Sequence, residues 1–373
     1  MSAHDTKNSK DATVQLAHGS GGSMMQNLIK DVFVKEFSDV QLEDAATVAL
    51  AGSGTNSADT HISISTDSYV VQPLFFPGGD IGRLAVCGTV NDVATSGARP
   101  LCISASFILE AGFPLSDVEK IVQSMSVTAK EAGVSIITGD TKVVEAGQAD
   151  GIYINTTGVG VLPAQRKALT ADAIQPGDVV LLSGSLGDHG MCIMSQREEL
   201  SFAADLSTDA APLNKMIQGV IEAAPDTRCF RDPTRGGLAS TLNELADAAQ
   251  VEMTIEEKSV PVKPAVQGAC EMLGYDVFQV ANEGKIVAIV PANQAEAALA
   301  AMKASPYGAD AAIIGSVEQG QKDADGTESA AVDGSSSPAF AKSSNFARVQ
   351  LRNAFGAKRV MDTLIGEQLP RIC

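Results

Sequence analysis

Hydrophobic and polar positions alternate along this chain in two periods. His61 to Ser65 alternates every second residue, as a half-buried strand does, whereas Asp80 to Ser96 carries Ile81, Leu84, Ala85, Val90 and Val93 at helical spacings. Leu101 to Leu109 returns to a strand pattern. Ser116, with Glu119 three residues on, reads as the capped start of a helix ending near Gly133. Val134 to Thr138 and Ile152 to Leu162 predict further strands. After Ala164 the turn Gln175-Pro-Gly-Asp precedes the apolar run Val179 to Leu182, and strands, glycine-rich turns and helices continue to about Val317. Strands interspersed with helices in both halves favour α/β or α+β layers over an all-helical or all-β fold.

The texture changes twice outside these halves. Residues 320–345 are rich in Ser, Gly, Asp and Ala and show no sustained periodicity, which predicts a flexible insertion. Residues 346–373 regain apolar and basic character, with Arg348, Arg352, Lys358, Arg359 and Arg371 against Asp362 and Glu367. The expected organisation is therefore a flexible leader with a glycine-rich lid over 1–39, domains over 40–164 and 165–319, the insertion 320–345, and a mobile tail over 346–373.

Composition narrows the function classes. Of 373 residues, 45% are hydrophobic, enough for real cores, but only 4% are aromatic and Trp is absent. The net charge of -18 repels a phosphate backbone, so nucleic acid is not expected as a partner. No stretch reaches the roughly 20 apolar residues of a membrane helix, and Met1 to Asp11 has no apolar signal core. Cysteines at 87, 102, 192, 229, 270 and 373 form no CxxC pair, which suits thiols in a reducing cytoplasm.

Four acidic residues sit at the ends of apolar segments in the first half: Asp44, Asp67, Asp92 and Asp140. Carboxylates at strand ends can bind Mg2+ through oxygen; each alone is as well read as a turn or cap residue. His18-Gly-Ser-Gly-Gly22 could wrap phosphates with backbone N–H groups or be plain leader. Ser183-Gly-Ser-Leu-Gly-Asp-His-Gly190 could face an anion or pack a strand tightly on a helix. In Asp232-Pro-Thr-Arg-Gly-Gly, Arg235 fits either a phosphate contact or a structural ion pair. Lys142 shares a strand face with Asp140 and could neutralise phosphate charge, and Glu283 at a turn could serve as a general base. The chain ends in Gly366-Glu-Gln-Leu-Pro-Arg-Ile-Cys373, where Cys373 is either a substrate carrier or an incidental thiol.

The segments AHGSGG (17–22), STDSYVVQPLFFPGGDIGRLAVCGTVNDVATSGARP (65–100), TGDTKVV (138–144), DPTRGGLA (232–239), ANEGK (281–285) and GEQLPRIC (366–373) together resemble the HypE family of hydrogenase maturation proteins. They span nearly the whole chain after residue 15, and the terminal PRIC is the most specific of them. The resemblance implies the two-domain fold of the aminoimidazole ribonucleotide synthetase (PurM-like) superfamily, with N-terminal sheets paired in a homodimer and a C-terminal α/β domain behind. It implies ATP and Mg2+ as cofactors. The metal would be held by Asp44, Asp67, Asp92 and Asp140, and the nucleotide by these with Gly19, Ser20, Gly21, Gly22, Asn91 and Arg235. Cys373, Lys142 and Glu283 become the catalytic candidates. HypF is then the expected donor of a carbamoyl group to Cys373, which ATP-dependent dehydration converts to a thiocyanate. A HypC–HypD complex would accept the cyanide for the iron of a nickel-iron hydrogenase. Two other readings stand beside it: a selenophosphate synthetase or thiamine-phosphate kinase of the same superfamily acting on a free small substrate, and a non-catalytic assembly scaffold.

Overall fold

The computed structural model describes residues 13–37, 42–50, 60–162, 166–198, 206–320, 348–363, 369 and 371–373. The insertion expected at 320–345 lies outside these, apart from residue 320, as do residues 1–12 of the leader and four residues of the terminal motif.

The leader is more ordered than its composition predicts. A 3-10 turn, Leu16–Gly19, is followed by helix α1 (Ser23–Leu28), which runs on as a π-helical stretch over Ile29–Val34. The amide of Gln26 donates to Glu244 Oε1 at 2.9 Å and so ties α1 to the second half.

The first half contains β1 (Ala46–Leu50), β2 (Thr60–Tyr69), the hairpin β3 (Phe75–Phe76) and β4 (Gly79–Asp80), helix α2 (Ile81–Thr95), β5 (Arg99–Glu110), helix α3 (Leu115–Ala132), β6 (Ser135–Val144) and β7 (Ile152–Leu162). Its five-stranded sheet has the order β1-β2-β7-β5-β6, with only β5 and β6 parallel. The period-two pattern of Ile152–Leu162 is realised along all of β7, where every second side chain is buried. The helix expected after Asp80 starts there because the Asp80 carboxylate accepts the N–H groups of Gly82 and Arg83 at 2.7 and 3.0 Å. α2 is buried almost throughout and lies close on β7. A Cβ at Gly158 would come within 2.8 Å of Thr89 Cγ2, so this approach requires glycine. α3 begins at Leu115 without the expected Ser116 cap: the Asp117 and Val118 amides bond instead to the Pro114 carbonyl. It ends at Gly133 in the left-handed region, φ 78°.

The second half contains β8 (Asp178–Leu182), helices α4 (Asp188–Arg197) and α5 (Asn214–Ala223), β9 (Cys229–Arg231), α6 (Gly237–Ala249), β10 (Val251–Glu256), α7 (Pro264–Leu273), β11 (Val287–Pro291), α8 (Ala295–Ala304) and β12 (Ala312–Gln319). Two further strands, β13 (Arg348–Arg352) and β14 (Lys358–Val360), complete a seven-stranded sheet of order β14-β13-β10-β12-β8-β11-β9. This corrects the expected tail boundary at 346. Val349 and Leu351 alternate inward and are fully buried, which binds β13 parallel to β10 rather than leaving it in a tail.

One apolar core runs from Tyr69 and Phe76 of the first half through Leu186 and Val280 of the second to Leu369, Ile372 and Cys373 at the end of the chain. Among the described residues no helix is long and apolar enough to cross a membrane.

Candidate active site

The last residues fold back between the two halves. The Val70 N–H donates to the Cys373 main-chain oxygen at 3.1 Å, and the Gln72 N–H to the Arg371 carbonyl at 3.3 Å, so the end lies along residues 70–72. Arg371 Nε donates to the Val70 carbonyl at 3.0 Å, and its guanidinium pairs with Asp150. Arg197 donates to the Gln72 and Arg371 carbonyls at 2.6 and 2.5 Å. Arg371 sits at φ +51°, a left-handed conformation that a side chain adopts only at some cost.

This docking buries Cys373, at 8% exposure, with Arg235 and Glu283 as the charged groups that act most on its thiol. Burial pushes the thiol pKa up; the Arg235 guanidinium pulls it down, while Glu283 and Asp67 add to the rise. Glu283 is itself buried, with Oε1 lacking a hydrogen-bond partner among the described residues. Burial, then the carboxylates of Asp232, Asp67 and Asp209, raise its pKa well above the usual range, against the pull of Arg235.

Around the thiol the structure gathers an acidic cluster. Asp67, at the end of β2, lies 3.9 Å from Arg235 and faces α2, which carries Asp92. The Asp92 carboxylate accepts Ser65 Oγ at 2.8 Å, and burial followed by Asp232, Asp44 and Asp67 raises its pKa strongly. Asp44, in the bend before β1, pairs through Oδ1 with Arg231 of β9 at 2.9 Å. Its pKa stands at about 6: burial raises it, Arg231 lowers it, and Glu43 and Glu244 raise it further.

Asp232 belongs to this cluster, whereas its motif is expected to contribute only Arg235; burial and then Asp44 drive its pKa up. The signal was present, a second acid in DPTRGG. Among the described residues no three ligand-type side chains are already closed into a metal cage. The donor set nevertheless fits Mg2+, which takes a few carboxylates together with phosphate oxygens. All four acids offer hard oxygens, and Asp44 Oδ2 is buried with no partner among the described residues.

The leader closes on the same place. Gly21, at φ +77°, packs on the Arg235 backbone; a Cβ there would lie 2.5 Å from the Arg235 carbonyl oxygen. Ser20 Oγ donates to the Ala17 carbonyl at 2.8 Å and shapes the turn, with Gly19 open beside it and Gly22 capping α1. This brings the amides of the leader against the Arg235 loop.

Three candidates stand elsewhere. Asn91 is spent on structure: its amide donates to the Ala211 carbonyl at 3.0 Å and accepts the Leu213 N–H at 2.7 Å, holding the two halves together. Asp140 and Lys142 lie exposed on edge strand β6, paired with each other at 2.6 Å, which holds the Asp140 carboxyl below its usual range. Register shows why they do not join the cluster. Ser68, Asn155, Ser106 and Asp140 form one row across β2, β7, β5 and β6, so Asp140 points to the sheet face opposite Asp67. It is also three strands away, roughly 14 Å. One chain cannot bring both carboxylates to one ion.

The glycine-rich turn Ser183–Gly190 resolves as packing. The Gly187 N–H is taken by Asn282 Oδ1 at 2.8 Å and the Gly190 N–H by the Ala281 carbonyl at 3.1 Å, so those amides face the Glu283 loop rather than an anion.

The chain and its fold are similar to known proteins. Residues 42–162 match the N-terminal domain, and residues 175–325 the C-terminal domain, of AIR synthase related proteins. The carbamoyl dehydratase HypE of Azotobacter vinelandii is 47% identical over 376 aligned positions, covering 100% of both chains. The HypE–HypF complex superimposes with TM-score 0.77 at 43% identity, covering 90% of this chain and 99% of that one. HypE in complex with ATP does so with TM-score 0.74 at 45% identity, covering 97% and 100%.

Proposed function

Since the chain belongs to the AIR synthase related family and, within it, to the HypE carbamoyl dehydratases, we propose that it dehydrates a carbamoyl group carried on its own Cys373. One observation carries this reading: Cys373 is buried where Arg235, Glu283 and Asp67 act on its thiol. A kinase for a free small substrate would have its site filled by this tail, and a scaffold has no use for a buried carboxyl aimed at the thiol.

The chemistry balances as carbamoyl–S–Cys373 plus ATP giving N≡C–S–Cys373 plus ADP and phosphate. The carboxamide oxygen takes the terminal phosphoryl group of ATP and becomes a good leaving group. Arg235 steadies the charge on that oxygen. Glu283, in its ionised form, takes one N–H proton as the C–O bond breaks, and the departing phosphate carries away the second. Asp44, Asp67, Asp92 and Asp232 would hold Mg2+, which would neutralise charge on the ATP phosphates. Gly19 to Gly22 close the leader over the nucleotide.

Asp140 and Lys142 serve the site of a second copy in this reading. The sheet face that bears them is otherwise half-buried or exposed, with Ile62, Ile64, Val159 and Val161 on it, and suits a homodimer. A HypF-type protein in the cytoplasm loads the carbamoyl group, and a HypC–HypD-type complex receives the cyanide. The test is the mass of the Cys373 peptide after mixing the protein with HypF, carbamoyl phosphate and Mg-ATP. The adduct should become one water lighter, and Glu283→Gln should stall at the heavier form. A Cys373 that stays unmodified in every mixture would overturn the proposal.

A further inference from the structure

We infer that His189 is a positioning residue for this reaction, holding the Ile372 carbonyl so that the Cys373 sulfur is presented to Glu283, with Thr208 fixing the tautomer that lets it do so. The chemical half of this inference rests on the dehydratase reading; the docking half does not.

His189 lies on α4, fully buried, with its ring edge-on to Phe76 of the β3–β4 hairpin at a centroid distance of 5.7 Å. Nε2 lies 2.7 Å from the Ile372 carbonyl and Nδ1 lies 2.7 Å from Thr208 Oγ1. A carbonyl only accepts, so Nε2 must carry the proton. Thr208 Oγ1 already accepts the Ala210 N–H at 3.1 Å, which frees its own O–H to donate to Nδ1. The relay therefore runs from Thr208 O–H to Nδ1, and from Nε2–H to the tail. Burial favours the neutral ring that this relay needs.

The same short segment also sets the other reactant. Asp209, next to Thr208, accepts the Glu283 N–H on Oδ1 at 3.1 Å and pairs through Oδ2 with Lys285 at 2.9 Å. The Thr208 N–H is anchored to the Pro77 carbonyl at 2.9 Å. Thr208 thus locates the thiol through His189, and Asp209 locates the base through its backbone. Thiol and base are referenced to one pair of adjacent residues, which are themselves seated on Pro77 of the first half. The QPLFFPGG stretch gains a purpose as the wall against which His189 and Thr208 are seated.

The test uses the full chain and a small disulfide reagent, with labelling of each cysteine read by peptide mass. His189→Ala leaves the buried Ile372 carbonyl without a donor, and Cys373 should label about tenfold faster. His189→Gln, which presents an amide N–H at similar reach, should restore slow labelling. Thr208→Val should shift the rate in the same direction as His189→Ala, and Thr208→Ser should not. Cys87 and Cys229, buried elsewhere, report global loosening. In carbamoyl-loaded protein, water loss should slow about tenfold in His189→Ala and recover in His189→Gln. Unchanged Cys373 labelling in His189→Ala overturns the inference. So does acceleration at all cysteines alike, or a failure of His189→Gln to rescue. If labelling behaves as expected but even the wild-type adduct never loses water, the docking stands and the dehydratase reading falls.

Discussion

Asp209 and Lys285 make a buried ion pair whose removal can be worked through quantitatively. Their side chains are 3% and 9% exposed and 2.9 Å apart. The nearest other carboxylate to Lys285, Asp188 at 3.9 Å, is committed to Ser185 Oγ at 2.6 Å and Lys263 at 3.0 Å. Asp209→Ala therefore strands an ammonium in a low-dielectric site, at a cost of about 3 kcal/mol, the lower end for breaking such a pair because Asp188 still offers partial compensation. Adding Lys285→Met removes the stranded charge, so the double variant should regain about 2 kcal/mol of that loss. Urea denaturation at pH 7 reads this as a midpoint about 1 M lower for the single variant. A double variant no more stable than Asp209→Ala would refute the reasoning. The pH dependence has a definite sign. Burial pushes the Asp209 carboxyl up, but Lys285 and the Glu283 N–H more than offset it, leaving its pKa below the ordinary value. Its contribution is complete above that ordinary value, about 4, and is lost as pH falls through the folded one, so the deficit of Asp209→Ala should shrink below about pH 4.

Three further expectations follow from the site. Gly21→Val places carbon against the Arg235 backbone and should lift the leader, weakening ATP about tenfold by calorimetry; unchanged affinity would separate the leader from the nucleotide. Arg371→Ala loses the Asp150 pair and the Val70 bond, and because that pair is partly exposed, Cys373 labelling should rise only about fivefold. Arg371→Gly should label more slowly than Arg371→Ala, since the left-handed backbone no longer carries a side chain. Finally, mixing an Asp140→Asn copy with a Glu283→Gln copy should restore dehydration that neither shows alone; no recovery would place Asp140 outside the partner's site.

Much of the first half was legible because its periods are strong: β7 has the residue bounds that its alternation predicts, and α2 starts at the acid that caps it. β13 escaped because only Val349 and Leu351 carry its pattern, and its parallel pairing to β10 is non-local. Motifs pointed to Asp44, Asp67 and Asp92, but no motif encodes which face of a sheet a residue takes, so Asp140 was grouped with acids it cannot meet within one chain. His189 and Asp209 were invisible for a related reason. Their meaning lies in Ile372 and Glu283, far along the chain, and a lone His or Asp carries no sign of such a partner.

Among the described residues the hydrogen bonds to the docked end go to its main chain, at the oxygens of Arg371, Ile372 and Cys373, while Arg371 adds side-chain bonds and Leu369 and Ile372 bury their side chains in the core. Such a seat is blind to cargo. A bare thiol, a carbamoyl thioester and a thiocyanate present the same peptide oxygens and are held by the same contacts. On the dehydratase proposal, turnover would then be timed by the groups that act on the sulfur itself, Arg235 and Glu283, or by an incoming protein that competes for those oxygens. A finished product would not be ejected by its own chemistry; it would wait to be collected.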